Sequence, residues 1–268
     1  GDWSSDVCSS DLKTNPGKII AWSATRIIIK TRWVQHNANL VLTSTMKSAQ
    51  TYINSSIGKK LVMAITGSLL CLYLLIHFGN NLTLLAGPGT FNHLVGNLES
   101  IKPFVRVIEV ILLSIFLMHI FRGSQLSLDS RRAKPIRYQI DASGENSSIF
   151  SRTMGISGSI IFIFLVTHLS TFWYRFQIAK DHEAYYDIVV NGPVGFSNIF
   201  ITILYLLAMV LLGFHLRHGF QSAIQTFGMK QTRIGKFIER VGFLFWFVIP
   251  LGFFGIAFWF GILGGGQV

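Results

Sequence analysis

Five stretches of this chain, at residues 61–85, 103–121, 153–176, 196–216 and 241–263, are continuously apolar over about the length a helix needs to cross a lipid bilayer. A hydrocarbon core about 30 Å thick takes roughly 20 helical residues. Inside it no water is at hand for stray N–H and C=O groups, so only helices or a closed barrel can span. A barrel strand alternates apolar and polar residues over about ten positions, and these runs do not alternate. The expected fold is therefore all-α: a polytopic membrane bundle of five transmembrane helices. Composition agrees, with 50% hydrophobic side chains against 13% charged ones and a mean hydropathy of +0.49, well outside the range of an ordinary soluble domain.

The basic residues orient the bundle. Eight precede the first span, among them Lys47, Lys59 and Lys60. The connection from the second span to the third carries Arg122, Arg131, Arg132, Lys134, Arg137 and Arg152, and that from the fourth to the fifth carries Arg217, Lys230, Arg233, Lys236 and Arg240. The other two connections hold only Lys102 and Arg106, and Arg175 and Lys180. The positive-inside rule then expects a cytoplasmic N-terminus and an outer C-terminus. The net charge of +11 belongs to that inner rim, where anionic lipid and a soluble partner meet it. No basic soluble domain is present to carry nucleic acid.

The opening "GDWSSDVCSSDL" lacks periodicity and a start methionine and resembles translated sequencing adaptor, whereas "MKSAQTYINSSIGKK" from Met46 reads as a genuine start. Residues 1–45 are accordingly expected to be a non-native or disordered extension, and residues 46–268 the membrane domain. Starting at Met46 removes five basic and three acidic residues, leaving +9, and removes Cys8. Cys71 then stands alone, so neither a disulfide framework nor a cysteine metal site is expected.

Of eight histidines, His36, His93 and His182 fall outside the spans. His77, His119, His168 and His215 fall one to a span, each in its last third. A single histidine in a membrane helix is readily explained as an interhelical hydrogen-bonding group. Four at matching relative depth are harder to explain that way, because polar groups in hydrocarbon are costly and usually functional. Successive spans run in opposite directions, so His77 shares a level with His168 near the outer face, and His119 with His215 near the inner face. Two neutral imidazoles from facing helices suit the axial positions of a flat iron macrocycle. With a rise of about 1.5 Å per residue the two levels lie roughly 15–20 Å apart. Two b-type haems in a core formed by the first four spans are the expectation. Zinc needs three or four converging ligands, and each level supplies two.

The chain also repeats itself. "MAITGSLLCLYLLIH" from Met63 and "MGISGSIIFIFLVTH" from Met154 share M-x-I-[TS]-G-S-x5-L-x2-H, and "HIFRGSQ" from His119 and "HLRHGFQ" from His215 share H-x3-G-x-Q. Spans one and two thus read as a weak copy of spans three and four, placing equivalent ligands about a pseudo-twofold axis. Gly123 and Gly219 follow their histidines by one turn. They lie on nearly the same face, where a missing Cβ lets a flat ligand or another backbone approach; Gly67 and Gly158 precede theirs by ten residues, near the level of the opposite haem, where they would relieve its edge against helices one and three. Close helix packing is the competing explanation for each glycine taken singly. The fifth span has no histidine and is expected to pack outside.

Four segments, "SSIGKKLVMAITGSLLCLYLLIHFGNNL", "LLSIFLMHIFRGSQL", "SRTMGISGSIIFIFLVTHLSTFW" and "LGFHLRHGFQSAIQTFG", resemble the cytochrome b membrane-anchor subunit of succinate dehydrogenase/fumarate reductase, in its bacterial single-chain, five-helix, di-haem form. The resemblance runs from about Ser55 to the end. It implies a subunit of the bacterial inner membrane that anchors a flavoprotein and an iron–sulfur protein and exchanges electrons with menaquinone or a related quinone. His77 and His168 would ligate the distal haem, and His119 and His215 the proximal one. Succinate chemistry would belong to the soluble partners, and this chain would carry electrons from iron–sulfur cluster to inner haem, outer haem and quinone.

Some assignments stay open at this point. His215 and His218 lie three apart, and the H-x3-G spacing selects His215 as ligand, leaving His218 as a propionate or interface partner. Arg122 and Arg152 are candidate propionate partners, although a solvated basic rim explains them equally. Glu109, the one acid well inside a span, is a candidate for proton transfer at an outer quinone site, with a structural hydrogen bond as the alternative. A hydrogenase or formate dehydrogenase cytochrome b, and a haem-free carrier moving protons on histidines, are the competing functions.

Overall fold

The computed structural model describes residues 16–133, 149–179 and 185–265, and among these the chain is helical without strands. It divides into two units, Gly1–Ile57 and Gly58–Val268. The first contains one long helix, α1 (Pro16–Asn54), which passes through Met46 without a break. The division between the units falls twelve residues after the 45/46 boundary expected from the sequence. The opening "GDWSSDVCSSDL", Cys8 and His182 lie outside the described residues.

The second unit opens within α2 (Ser56–Leu82), which a 3₁₀ turn, Thr83–Ala86, prolongs. Then come α3 (Pro88–Ser100) and α4 (Lys102–Arg132). Next are the single turn α5 (Ile149–Arg152) and α6 (Met154–His168), the latter continued by π-helical turns at Leu169–Trp173 and Arg175–Ala179. The chain finishes with α7 (Tyr185–Val190), α8 (Ile199–Thr226), α9 (Arg233–Phe243), a π-turn at Leu244–Val248 and α10 (Ile249–Gly261). Among the described residues, five helical runs are long and apolar enough to cross a membrane: Ser56–Ala86, Lys102–Arg132, Met154–Trp173, Ile199–Thr226 and Arg233–Gly261. We number them spans one to five. Each agrees with an apolar stretch of the sequence, but spans two and four run ten or more residues past it. Hydropathy registers only the part suited to lipid, whereas residues such as Ser124, Gln125, Gln221 and Ser222 carry the helix on beyond it.

Spans alternate in direction, so the bundle has two ends. Lys59, at the start of span one, bonds Asp129 near the end of span two at 2.7 Å; this is the basic end. Arg217 is clamped there between the rings of Phe150, 4.3 Å away, and Trp246, 4.9 Å away. The other end is capped by α3 and α7. Asn92 Oδ1 accepts from the Tyr186 amide at 2.9 Å, and the Tyr185 hydroxyl donates to Glu99 at 3.2 Å. Beneath the cap lies the best-buried cluster of the unit: Leu84, Phe91, Phe172, Tyr186, Ile188, Val189, Val190, Phe196, Tyr205 and Phe260. A turn folds Phe196 back under α7, with its amide donating to Val189 O at 2.8 Å. Asn198 then caps α8 by accepting from the Phe200 and Ile201 amides.

Span five closes on span four through Ala208, Met209, Ile249 and Ala257, all buried. Proline explains its π-turn. Pro250 has no N–H to offer the carbonyl of Trp246 four residues back, and that freed carbonyl faces Gly213 of α8, 3.1 Å from where a Cβ would stand. Span five also reaches span one. Phe253 lies 5.1 Å from Phe78 and 5.7 Å from His77, and Gly252 sits so close to the Phe78 ring that a Cβ would collide with it. It is therefore not merely an outer helix, as its lack of histidine implied. Much of the remaining apolar surface, Leu113 and Leu117 of span two among it, is exposed, as expected of helices that face lipid.

Candidate functional site

The antiparallel spans bring the four intramembrane histidines together two by two. Toward the capped end, His77 of α2 meets His168 of α6 with ring centroids 5.8 Å apart and planes at 89°. Toward the basic end, His119 of α4 meets His215 of α8 at 6.3 Å and 61°. With metal–nitrogen bonds of about 2 Å, two imidazoles on opposite sides of one iron hold their centroids roughly 6 Å apart. Among the described residues no three or more His, Cys, Asp or Glu side chains gather as a metal group, so each layer offers two imidazoles. The residues present fit a bis-histidine macrocycle in each layer.

A ligating imidazole is oriented by what its second nitrogen touches, because that bond selects the tautomer. His168 Nδ1 lies 2.9 Å from the Tyr205 hydroxyl, and Tyr205 is buried. A metal at Nε2 requires the Nδ1–H form, in which the phenolic oxygen accepts. His119 Nδ1 lies 3.2 Å from Thr66 Oγ1. Asn81 donates to the His77 carbonyl at 2.8 Å, with its amide 3.4 Å from the ring nitrogen Nε2. His215 Nδ1 is buried and has no hydrogen-bond partner among the described residues, a state that costs about 1–3 kcal/mol for an ordinary polar atom.

Aromatic rings pack the layer at the capped end. Phe164, His168, Phe172 and Phe176 recur every fourth residue, and both Phe164 and Phe172 lie within 6 Å of the His168 ring. The π-turn that begins at Leu169 carries Phe172. Tyr73 stacks on His77 at 5.5 Å and 16°.

The glycines divide by role. His119 rests against Gly67, its Cε1 3.3 Å from a would-be Cβ, and His215 rests against Gly158 at 3.6 Å. Both glycines therefore lie at the opposite layer, as the ten-residue spacing implies, and there they face imidazole edges. Gly123 meets the Met63 methyl at 3.3 Å, while a Cβ on Gly219 would find open space.

Arg122 is only 7% exposed and gives its Nη1 to Gln125 at 2.8 Å, one turn beyond His119. Arg152 is exposed and His218 half-buried. Glu109 is not a solitary acid, since Arg106 Nη1 of its own helix bonds it at 2.8 Å. In the internal repeat Glu109 stands ten residues before His119, as Tyr205 stands ten before His215, so the position that supports His168 from span four carries an ion pair in span two.

Tyr205, Thr66 and Asn81 were missed by reasoning from the histidines alone. Thr66 had a visible signal, the [TS] of the repeated motif, and Tyr205 had its ten-residue spacing. Comparison with protein-family models, with curated proteins and with solved structures yields no match.

Proposed function

We propose that this chain is the di-haem cytochrome b anchor of a succinate dehydrogenase or fumarate reductase of the bacterial inner membrane. The observation that carries the reading is the meeting of four histidines from four spans in two layers of two, with ring centroids 5.8 and 6.3 Å apart. Haem, when bound, supplies a one-electron carrier whose potential the protein tunes.

The chain's own residues do the remaining work. His77 with His168, and His119 with His215, would hold the iron of each haem. Tyr205 orients His168, and the rings around it keep water from that layer. Arg122 places a buried positive charge beside the His119 layer, where it suits a haem propionate better than exposed Arg152 or half-buried His218 does. Glu109, held by Arg106, is the acid available to exchange a proton with menaquinone or a related quinone near the outer layer. The basic end faces the cytoplasm, toward the iron–sulfur and flavoprotein subunits that oxidise succinate or reduce fumarate, and the C-terminus lies outside.

A reduced-minus-oxidised spectrum of the purified chain tests this. A b-type band resolving into two components on redox titration is expected, with His77→Ala removing one component and His119→Ala the other. A chain without any such band behaves as the haem-free carrier and overturns the proposal. Co-purification of a flavin-containing, succinate-oxidising partner is expected, and a hydrogenase or formate dehydrogenase partner in its place refutes the assignment to succinate.

A further inference from the structure

We infer that Thr66 and Ser157 are a matched pair of positioning residues: the Thr66 hydroxyl oxygen holds His119 in the Nδ1–H form that would leave its Nε2 available to iron, and Ser157, its counterpart in the repeat, would take up the same bond to His215 when haem is bound. This rests on the haem reading above and adds two residues to it.

The internal repeat puts Thr66 and Ser157 at the same place, eleven residues before His77 and His168 and directly before Gly67 and Gly158. Geometry shows what the place is for. Thr66 Oγ1 lies 2.8 Å from Val62 O and 3.1 Å from Met63 O, as well as 3.2 Å from His119 Nδ1. A hydroxyl has one proton. Both carbonyls can only accept and both lie nearer than the imidazole, so we assign the proton to the preceding helical turn, which leaves an oxygen lone pair facing Nδ1. His119 Nδ1 is then the donor, and Nε2 carries the free lone pair.

The second half of the repeat is built alike. His215 lies against Gly158 by its Cε1 and Nδ1, 3.6 and 3.8 Å from a would-be Cβ, as His119 lies against Gly67 at 3.3 and 3.7 Å. Ser157 is 1% exposed and likewise spends its proton backwards, on Met154 O at 3.1 Å. His215 Nδ1, which faces the neighbouring Gly158, is buried and unpartnered among the described residues. His215 Nδ1 without an acceptor and Ser157 Oγ with a spare lone pair are thus the repeat counterparts of the two groups that are bonded in the other half. The [TS]-G dipeptide combines two functions, an acceptor from the hydroxyl and room for the ring from the glycine. Hydroxyls also suit the task because they accept weakly, keeping the imidazole neutral where a carboxylate would draw it toward imidazolate.

The test uses the full chain in detergent, with Thr66→Val, Ser157→Ala and the conservative Thr66→Ser and Ser157→Thr, read by haem titration, redox titration and electron paramagnetic resonance. Loss of an outer-shell partner typically weakens metal binding about 10–100-fold. That loss is expected for the His119/His215 haem in Thr66→Val and in Ser157→Ala, with a raised potential, because a less basic imidazole stabilises oxidised iron less. The His77/His168 haem in the same samples stays unchanged, which excludes general misfolding, and the conservative variants restore affinity and potential. Ser157→Ala with wild-type affinity and potential for both haems overturns the pairing. A wild-type chain that binds no haem sinks the haem reading instead. Nitrogen-15 histidine spectra of the haem-free chain then decide the pairing alone: Thr66→Val must alter the His119 tautomer signal, and an unaltered signal refutes it.

Discussion

Replacing Tyr205 by Phe removes a single oxygen from the layer at the capped end and leaves the shape of that layer intact. The ring remains among Phe164 at 4.8 Å, Phe196 at 5.3 Å and Phe172 at 6.3 Å, contacts that do not involve the hydroxyl. What goes is the 2.9 Å bond to His168 Nδ1. Leaving a buried polar atom unsatisfied costs about 1–3 kcal/mol, and at about 1.4 kcal/mol per decade that is roughly a 5- to 150-fold loss of affinity for the haem held by His77 and His168. Redox titration of the visible spectrum, with haem content measured alongside, should show that component weakened and its potential raised, while the His119/His215 component keeps its place. Tyr73→Phe is the matched control. Its ring stacks on His77 face to face, a contact the substitution preserves, so neither component should move. If Tyr205→Phe leaves both components at wild-type values, or shifts the other layer, Tyr205 does not orient a ligand and the two-layer account of the site fails with it.

Further outcomes follow from the same geometry. Gly158→Ala places its methyl at an ordinary 3.6 Å from His215 and should leave haem content unchanged, whereas Gly67→Ala meets His119 at 3.3 Å and should lower occupancy of that layer, as read by haem-to-protein ratio. Gly252→Val drives into the Phe78 ring and, by the usual cost of overpacking, should destabilise the bundle by about 1–3 kcal/mol in thermal unfolding in detergent. The Glu99 carboxyl is held below its ordinary value, first by the Lys102 hydrogen bond and also by that from Tyr185. A depressed carboxylate contributes stability that is complete above about pH 4.3 and fades as pH falls below it. Glu99→Gln should therefore cost under about 1 kcal/mol at pH 7 and flatten the stability curve below pH 5 or so.

The spans and their histidines were legible because both signals are one-dimensional. An apolar run reads directly as a lipid-facing helix, and alternating direction converts position within a span into depth, which is how His77 found His168 and His119 found His215 before any coordinates. The ends of α4 and α8 were less legible, since a helix sustains itself through polar residues that hydropathy discounts. Lateral relations were least so. That Phe253 of the fifth span touches His77, or that Tyr205 rather than some other group meets His168, depends on the rotation of each helix about its axis, and near-uniformly apolar helices carry little record of rotation. The π-turn at Leu244–Val248 had a cue in Pro250, but the one after His168 had none that we recognise. The long helix α1, Pro16–Asn54, had one cue, the absence of a proline or glycine between Gly17 and Asn54.

The lid formed by α3 and α7 changes how tolerant the chain should be of altered length. Connections are ordinarily where a protein accepts extra residues most freely. Here the crossing from span one to span two and the approach to span four are themselves the roof over the His77/His168 layer, fastened by Asn92 to Tyr186 and by Phe196 tucked beneath. Lengthening either by a few residues would let bulk solvent down onto buried rings, so the two roof segments should be as strict in length as a core helix.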